Sequence, residues 1–212
     1  MSTILCFGDS NTHGTIPLRT LGEFRRYPRG TRWPDVMAAD LGPEVEVIAE
    51  GLPGRTTVHD DPIDGGVRSG LAVLPALLLS HAPIDLVIVM LGTNDLKPRF
   101  SVTAFEIAAS VGRLIKVIQA EGVARDILIV APVPVTETGV LAPVFEGAED
   151  RQIGLSQNLH RVADALGAGF VEAGLHIATS SQDGVHWDAE AHATFGKIMA
   201  DVVRHRLGGA TP

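Results

Sequence analysis

Ser10 follows the apolar run Ile4-Leu5-Cys6-Phe7 by way of Gly8 and Asp9, so a hydroxyl stands where a strand gives way to a turn. If a helix begins there, its first amides point outward beside that hydroxyl, which pairs a nucleophile with a backbone N–H donor, as acyl transfer needs. The same serine also reads as a plain helix N-cap. A serine hydroxyl needs a base to take its proton as it attacks a carbonyl. His186 is the best candidate among the eight histidines, because Asp183 precedes it by three residues and can lie against the imidazole to fix its tautomer. Taken alone, Asp183 also reads as a turn residue and His186 as a surface histidine.

Two further segments stand between these. Gly51-Leu52-Pro53-Gly54-Arg55-Thr56-Thr57 follows the run Val45-Glu46-Val47-Ile48, and Gly92-Thr93-Asn94-Asp95 follows Leu86-Val87-Ile88-Val89-Met90-Leu91. Gly54 by itself reads as a turn glycine at positive φ, and Asn94 as a cap or Asx-turn residue. Three of the four segments follow candidate parallel strands at their carboxyl ends, the edge at which open α/β sheets bind ligands.

In this order the four segments resemble the SGNH (GDSL) hydrolases, whose namesake residues are a Ser, a Gly, an Asn and a His. The matching residues are Ser10, Gly54, Asn94 and His186, and the resemblance runs from Gly8 to the last helix. The wording Cys6-Phe7-Gly8-Asp9-Ser10, Glu50-Gly51-Leu52, Arg55-Thr56-Thr57 and Met90-Leu91-Gly92-Thr93-Asn94-Asp95 is most similar to the arylesterase/acyltransferase branch. The resemblance implies Ser10, Asp183 and His186 as the catalytic residues. It implies an oxyanion hole made of the Ser10 and Gly54 backbone N–H groups and the Asn94 side-chain amide. It further implies a serine esterase that cleaves short-chain, acetyl-type esters through an acyl-enzyme, with acyl transfer to alcohols as a second capacity. No cofactor and no metal is called for, the partner is a small-molecule ester, and the branch forms oligomers, so a homo-oligomer is expected.

The branch reads G-D-S-L-T-W-G at the nucleophile, whereas this chain reads Gly8-Asp9-Ser10-Asn11-Thr12-His13-Gly14. Asn11 and His13 make that neighbourhood more polar if they line the site. Together with Val144, Phe145 and Val185 they are the expected pocket residues. Asp9 is expected to satisfy turn amides, Asp95 to brace its own loop, and Arg55 to pair with a carboxylate. A carbohydrate O-acetyl esterase would use the same triad with a different pocket. Two Trp and one Tyr offer little for sugar stacking, which tilts the reading toward short acyl esters.

The elements that must hold these residues follow from pattern. Strands are expected at residues 3–7, 45–49, 85–91, 126–131 and 169–172, with the third apolar throughout, as a strand buried on both faces would be. Helices are expected at 33–41, at 69–80 despite Pro75, from Thr103 to Gly122, at 149–166 and from about Asp188 to Leu207. In the helix after Thr103, Thr103 and Glu106 fit a capping box, and Ile107, Val111, Leu114, Ile115 and Ile118 form one stripe. The loops 12–32 and 132–148 are long enough to be functional or to touch a partner. Alternating strands and helices imply right-handed crossovers and a three-layer α/β/α sandwich around a five-stranded parallel sheet, one domain over residues 1–212. The resemblance implies the flavodoxin-like strand order 2-1-3-4-5.

A net charge of −8 argues against nucleic acid, whose phosphates select basic surfaces. The single cysteine, Cys6, permits no internal disulfide, and no leader or bilayer-length apolar run is read, so a cytoplasmic protein without membrane contact is expected. Two competing readings are a phosphate- or flavin-binding module and a metal hydrolase built on His186, Asp188 and His192 or on His59-Asp60-Asp61. The first leaves the Asp183/His186 pair unexplained. In the second, six residues separate the two histidines, which places them on different faces of a helix.

Overall fold

The structure, a computed structural model, describes residues 1–208. Its apolar runs form five parallel strands: β1 (Ser2–Gly8), β2 (Val45–Gly51), β3 (Ile84–Met90), β4 (Ala124–Ala131) and β5 (Gly169–Glu172). Their order is β2-β1-β3-β4-β5, as the resemblance implies. Register sets Gly8 opposite Gly51 on one side and Met90 on the other. The turns leaving β1, β2 and β3 are therefore neighbours at one sheet edge. The chain order reverses between β1 and β3, which is where such sheets open a crevice for ligands.

Alternation along each strand feeds two cores. Leu5, Phe7, Val87, Val89, Ile127 and Ile129 pack with α3 (Gly70–His81), α4 (Ala104–Glu121) and α6 (Leu155–Leu166). Ile4, Cys6, Leu86, Ile88, Leu128 and Val130 pack with α2 (Trp33–Leu41) and α7 (Ala189–Gly208). These are the three layers. Local signals set the helix ends. The capping box is formed, with Thr103 Oγ1 accepting from Glu106 N–H and the Glu106 carboxylate accepting from Thr103 N–H. Gly122 closes α4 at φ +66°. α3 runs through Pro75, with Ser69 as its N-cap.

One expected element is divided. The helix expected over 149–166 is a short α5 (Ala148–Arg151) and a separate α6. Gly154 takes φ +82° at the break. The Gln152 side chain bonds the Val135 N–H and C=O at 2.8 and 2.9 Å, so the break is anchored to the segment after β4. The 132–148 loop holds a 3₁₀ turn over Gly139–Val144. No helix among the described residues is long and apolar enough to cross a membrane.

Candidate active site

β1 ends in α1 (Ser10–His13), a single turn. Asp9 caps it, its Oδ1 accepting the Asn11 N–H at 3.0 Å. Gly14 ends it at φ +83°. The turn lies against the end of β2: a Cβ on Gly51 would sit 2.1 Å from the His13 nitrogen. Burial pushes the Asp9 carboxyl up to about 6, against the opposing pull of the Asn11 N–H, the His186 and Arg55 charges and the Thr93 hydroxyl.

The second and third segments lock onto each other. Gly54 takes φ +77°, and Asn94 Nδ2 donates to the Arg55 carbonyl at 3.1 Å. An amide nitrogen carries two hydrogens, so Asn94 keeps a second donor. Among the described residues, Arg55 has no carboxylate bonded to it. Its Nη1 donates to the Gly8 carbonyl at 2.9 Å and to the Glu50 carbonyl, and its guanidinium lies 4.3 Å over the Phe7 ring. The carbonyls at the two strand ends each have room for a further donor, as the Gly8 carbonyl shows by also accepting the Leu52 N–H at 3.2 Å. Asp95 braces the second segment as well as its own backbone, accepting the Thr57 N–H at 3.0 Å and the Thr57 hydroxyl. Burial pushes its carboxyl up, against those bonds.

Asp183 is buried and accepts four hydrogen bonds. Oδ1 takes the Val185 and His186 N–H groups at 3.0 and 2.9 Å; Oδ2 takes the Leu18 N–H at 2.7 Å and His186 Nδ1 at 2.6 Å. Burial pushes the Asp183 carboxyl up, but the His186 hydrogen bond and charge and the Leu18 and His186 amides outweigh it and hold it below the usual carboxylate range. With Nδ1 engaged, Nε2 is the nitrogen left for other work. No hydrogen bond joins the Ser10 hydroxyl to the imidazole in this structure; such contacts often tighten only around a reacting substrate.

The loop carrying Asp183 and His186 is held from three sides. Thr136 N–H donates to the Gly184 carbonyl at 2.9 Å, Gln182 Nε2 to the Pro17 carbonyl at 2.7 Å, and Asn11 Nδ2 to the Val185 carbonyl at 3.1 Å. Gly184 takes φ +72°, and a Cβ there would meet the Thr136 oxygen at 1.9 Å. Gly184→Ala therefore should shift the loop, lowering kcat by ~100-fold or more together with Tm. Steady-state kinetics and a thermal melt check this; an unchanged kcat would mean that the loop moves without displacing His186.

Ser10, Gly54, Asn94 and His186 line one cavity of about 240 Å³. Of the expected pocket residues, Val144, Phe145 and Val185 line it too, whereas Asn11 and His13 do not. Asn11 is turned to the Val185 carbonyl, and the His13 ring bonds the Thr15 hydroxyl and packs 5.8 Å from the Phe24 ring. Their polarity braces the walls instead of facing the cavity. Sequence reasoning missed Leu18, Phe24, Glu23, Asp64 and Lys97, which also line it. The length of the 12–32 loop was the one available signal for the first three. Asp64 and Lys97 gave none, since they meet only when the second and third segments are side by side. There Lys97 Nζ bonds Asp61 at 3.2 Å and also Asp64, and Arg99 bonds Asp61 at 2.9 Å.

His192 lies behind the site, between the Tyr27 and Trp187 rings, with Nδ1 accepting the Trp33 N–H at 3.3 Å. Burial and the His186 and Arg32 charges lower it to about 4. A ring neutral when folded but protonated when unfolded costs stability as pH falls from 6.5 toward 4, at most ~3 kcal/mol. An NMR titration should find the His192 ring neutral at pH 5; a midpoint near 6.5 would contradict this burial. Among the described residues no three His, Cys, Asp or Glu side chains gather as a metal site.

A sequence model of the GDSL-like lipase/acylhydrolase family matches residues 6–194. The chain belongs to that family. Among solved structures, this GDSL chain is similar to Est24, a carbohydrate acetylesterase from Sinorhizobium meliloti, at 38% identity, with 96% of this chain and 98% of that one covered and a TM-score of 0.90. It is similar to the native aryl esterase of M. smegmatis at 36% identity, with 96% and 99% covered and a TM-score of 0.91. The lipase/acylhydrolase from Enterococcus faecalis shares the fold at 20% identity, with 97% of each chain covered and a TM-score of 0.70. No curated protein sequence matches the chain.

Proposed function

We propose that this GDSL-family chain is a serine esterase for short-chain acyl esters. The observation that carries the proposal is the Asp183–His186 pair, bonded at 2.6 Å through Nδ1, whose His186 lines the same cavity as Ser10. Ser10 attacks the ester carbonyl while His186 Nε2 takes its proton. Asp183 holds the imidazole in the tautomer whose free lone pair is on Nε2 and stabilises the imidazolium that forms. The developing oxyanion is held by the Ser10 and Gly54 N–H groups and the second Asn94 amide hydrogen. His186 returns the proton to the leaving alcohol. Water, or a second alcohol in acyl transfer, then resolves the acyl-enzyme by the reverse steps.

The small apolar corner made by Val144, Phe145 and Val185 supports an acetyl-sized acyl group. Hydrolysis of p-nitrophenyl acetate, butyrate and octanoate tests this: kcat/KM should fall with chain length, and an octanoate optimum would overturn the acyl-pocket assignment. Asn94→Ala should lower kcat on the acetate by ~10²- to 10³-fold with KM little changed. A loss confined to KM would remove Asn94 from the oxyanion hole.

A second reading, removal of O-acetyl groups from sugars, is favoured by Glu23, Asp64 and Lys97 in the cavity wall, which offer acceptors and a donor to a polyol. Est24, to which the chain is similar, is a carbohydrate acetylesterase. Acetylated glucose against p-nitrophenyl acetate separates the two. Leu21 and Phe24 line the cavity while 61% and 72% exposed, which supports self-association over its mouth; light scattering measures the mass.

A further inference from the structure

The loop leading from α1 to α2 has a second face. A cavity of about 430 Å³ lies away from Ser10, lined by Arg26, Tyr27, Arg29 and Arg32 of this loop and by Asp35 of α2. Val47 and Ala49 of the edge strand β2 border it. Three guanidinium groups thus share one cleft with one carboxylate.

That carboxylate is already engaged. Asp35 accepts Arg32 Nε at 2.6 Å and Arg32 Nη2 at 3.0 Å, and also the Gly30 N–H at 3.1 Å. Arg32 is nearly buried, so the pair is fixed in place. Arg26 Nε donates to the His13 carbonyl at 2.7 Å, a neutral acceptor. Arg29 makes no side-chain hydrogen bond or ion pair among the described residues. Arg26 and Arg29 therefore line the cleft with no ion pair of their own among the described residues, on a chain whose net charge is −8. Their repulsion is felt locally. Burial and the Arg32 and Arg29 charges lower Arg26, with Asp35 opposing. Burial and the Arg26 and Arg32 charges lower the His13 imidazole to about 4.

We propose that this cleft binds a dianionic phosphoryl group, with Arg26 and Arg29 as its ligands and Arg32 as the fixed third charge. Guanidinium forks match phosphate oxygens in pairs, and two uncompensated charges match a dianion better than a monocarboxylate. The volume exceeds that of a lone phosphate and falls within the range of small-molecule sites. Tyr27, Val47 and Ala49 would border the organic part of a phosphorylated small molecule. The site is tied to the ester cavity through one narrow ladder: Thr15 bridges Arg26, and Tyr27 N–H donates to the Gly14 carbonyl at 2.8 Å.

Thermal melts and calorimetric titrations at constant ionic strength test the proposal without reference to ester hydrolysis. The probes are inorganic phosphate and glycerol 3-phosphate against sodium chloride, on the wild type and on Arg29→Gln. Arg29 is exposed and its side chain makes no bond among the described residues, so its loss leaves the fold intact. Saturable phosphate binding should raise the wild-type Tm by ~5 °C at about a hundredfold excess over Kd. Arg29→Gln should weaken that binding by about tenfold or more. Tighter binding of glycerol 3-phosphate identifies a phosphorylated metabolite as the ligand class, and tighter binding of inorganic phosphate identifies the free ion. No saturable binding, or equal binding by Arg29→Gln, overturns the site.

Discussion

Ser10→Ala should lower the turnover of p-nitrophenyl acetate by roughly 10⁴- to 10⁶-fold while leaving the protein folded. In the proposed mechanism, removing the hydroxyl leaves no acyl-enzyme, and what remains is the polarisation of the carbonyl by the proposed oxyanion donors. The fold should be indifferent. Ser10 is the first residue of α1, its hydroxyl makes no hydrogen bond among the described residues, and Asp9 supplies the cap. Steady-state kinetics and a thermal melt on the same preparation check both halves. Activity within tenfold of wild type would remove Ser10 as the nucleophile, whatever the melt shows.

Asp183→Asn should lower kcat by about 10⁴-fold, through the tautomer of His186. The four donors on Asp183 decide how an asparagine would sit. Placing its NH₂ at the Oδ1 position opposes two N–H groups, those of Val185 and His186. Placing it at the Oδ2 position opposes only one, that of Leu18, and faces His186 Nδ1. The second orientation costs less. It turns Nδ1 into an acceptor, moves the ring proton to Nε2 and leaves no lone pair to take the serine proton. The unmatched Leu18 N–H should also cost ~1–3 kcal/mol of stability. A kcat near wild type would mean that His186 does not depend on this carboxylate. A large loss of kcat with a modest fall in Tm is the expected pair of results.

The same donor set shows why some of the site was legible in the sequence and some was not. Asp183 and His186 are three residues apart, so their contact is local and spacing suffices to suggest it. The Leu18 amide that completes the carboxylate's shell comes from far away in the chain, and no local pattern announces it. Arg55 is similar. Its type and place were visible, but its partners are the Gly8 and Glu50 carbonyls, which become available only when β1 and β2 end side by side. The bond from Asp95 to Thr57, beyond the expected service to its own loop, arises for the same reason.

Helix ends followed local chemistry where that chemistry was strong. Thr103, Glu106 and Gly122 set the bounds of α4 because caps depend on residues within one turn. The expected helix over 149–166 failed at Gln152–Gly154. There a tertiary bond from Gln152 to Val135 and a left-handed glycine interrupt a pattern that amphipathicity alone would continue.

By itself, then, the sequence determined the strand alternation, the two core faces, the turn residues and the family motifs, since each depends on residue type and near-neighbour spacing. The tertiary structure decided which atoms meet. It set the register that aligns Gly8, Gly51 and Met90 at one edge, and it turned Asn11 and His13 out of the cavity lining. It brought Glu23, Asp64 and Lys97 to the cavity, and gathered Arg26, Arg29 and Arg32 against the β2 edge. Long-range packing and electrostatics act between residues that the chain separates by many positions, and their outcome is fixed only when the sheet has closed the distance.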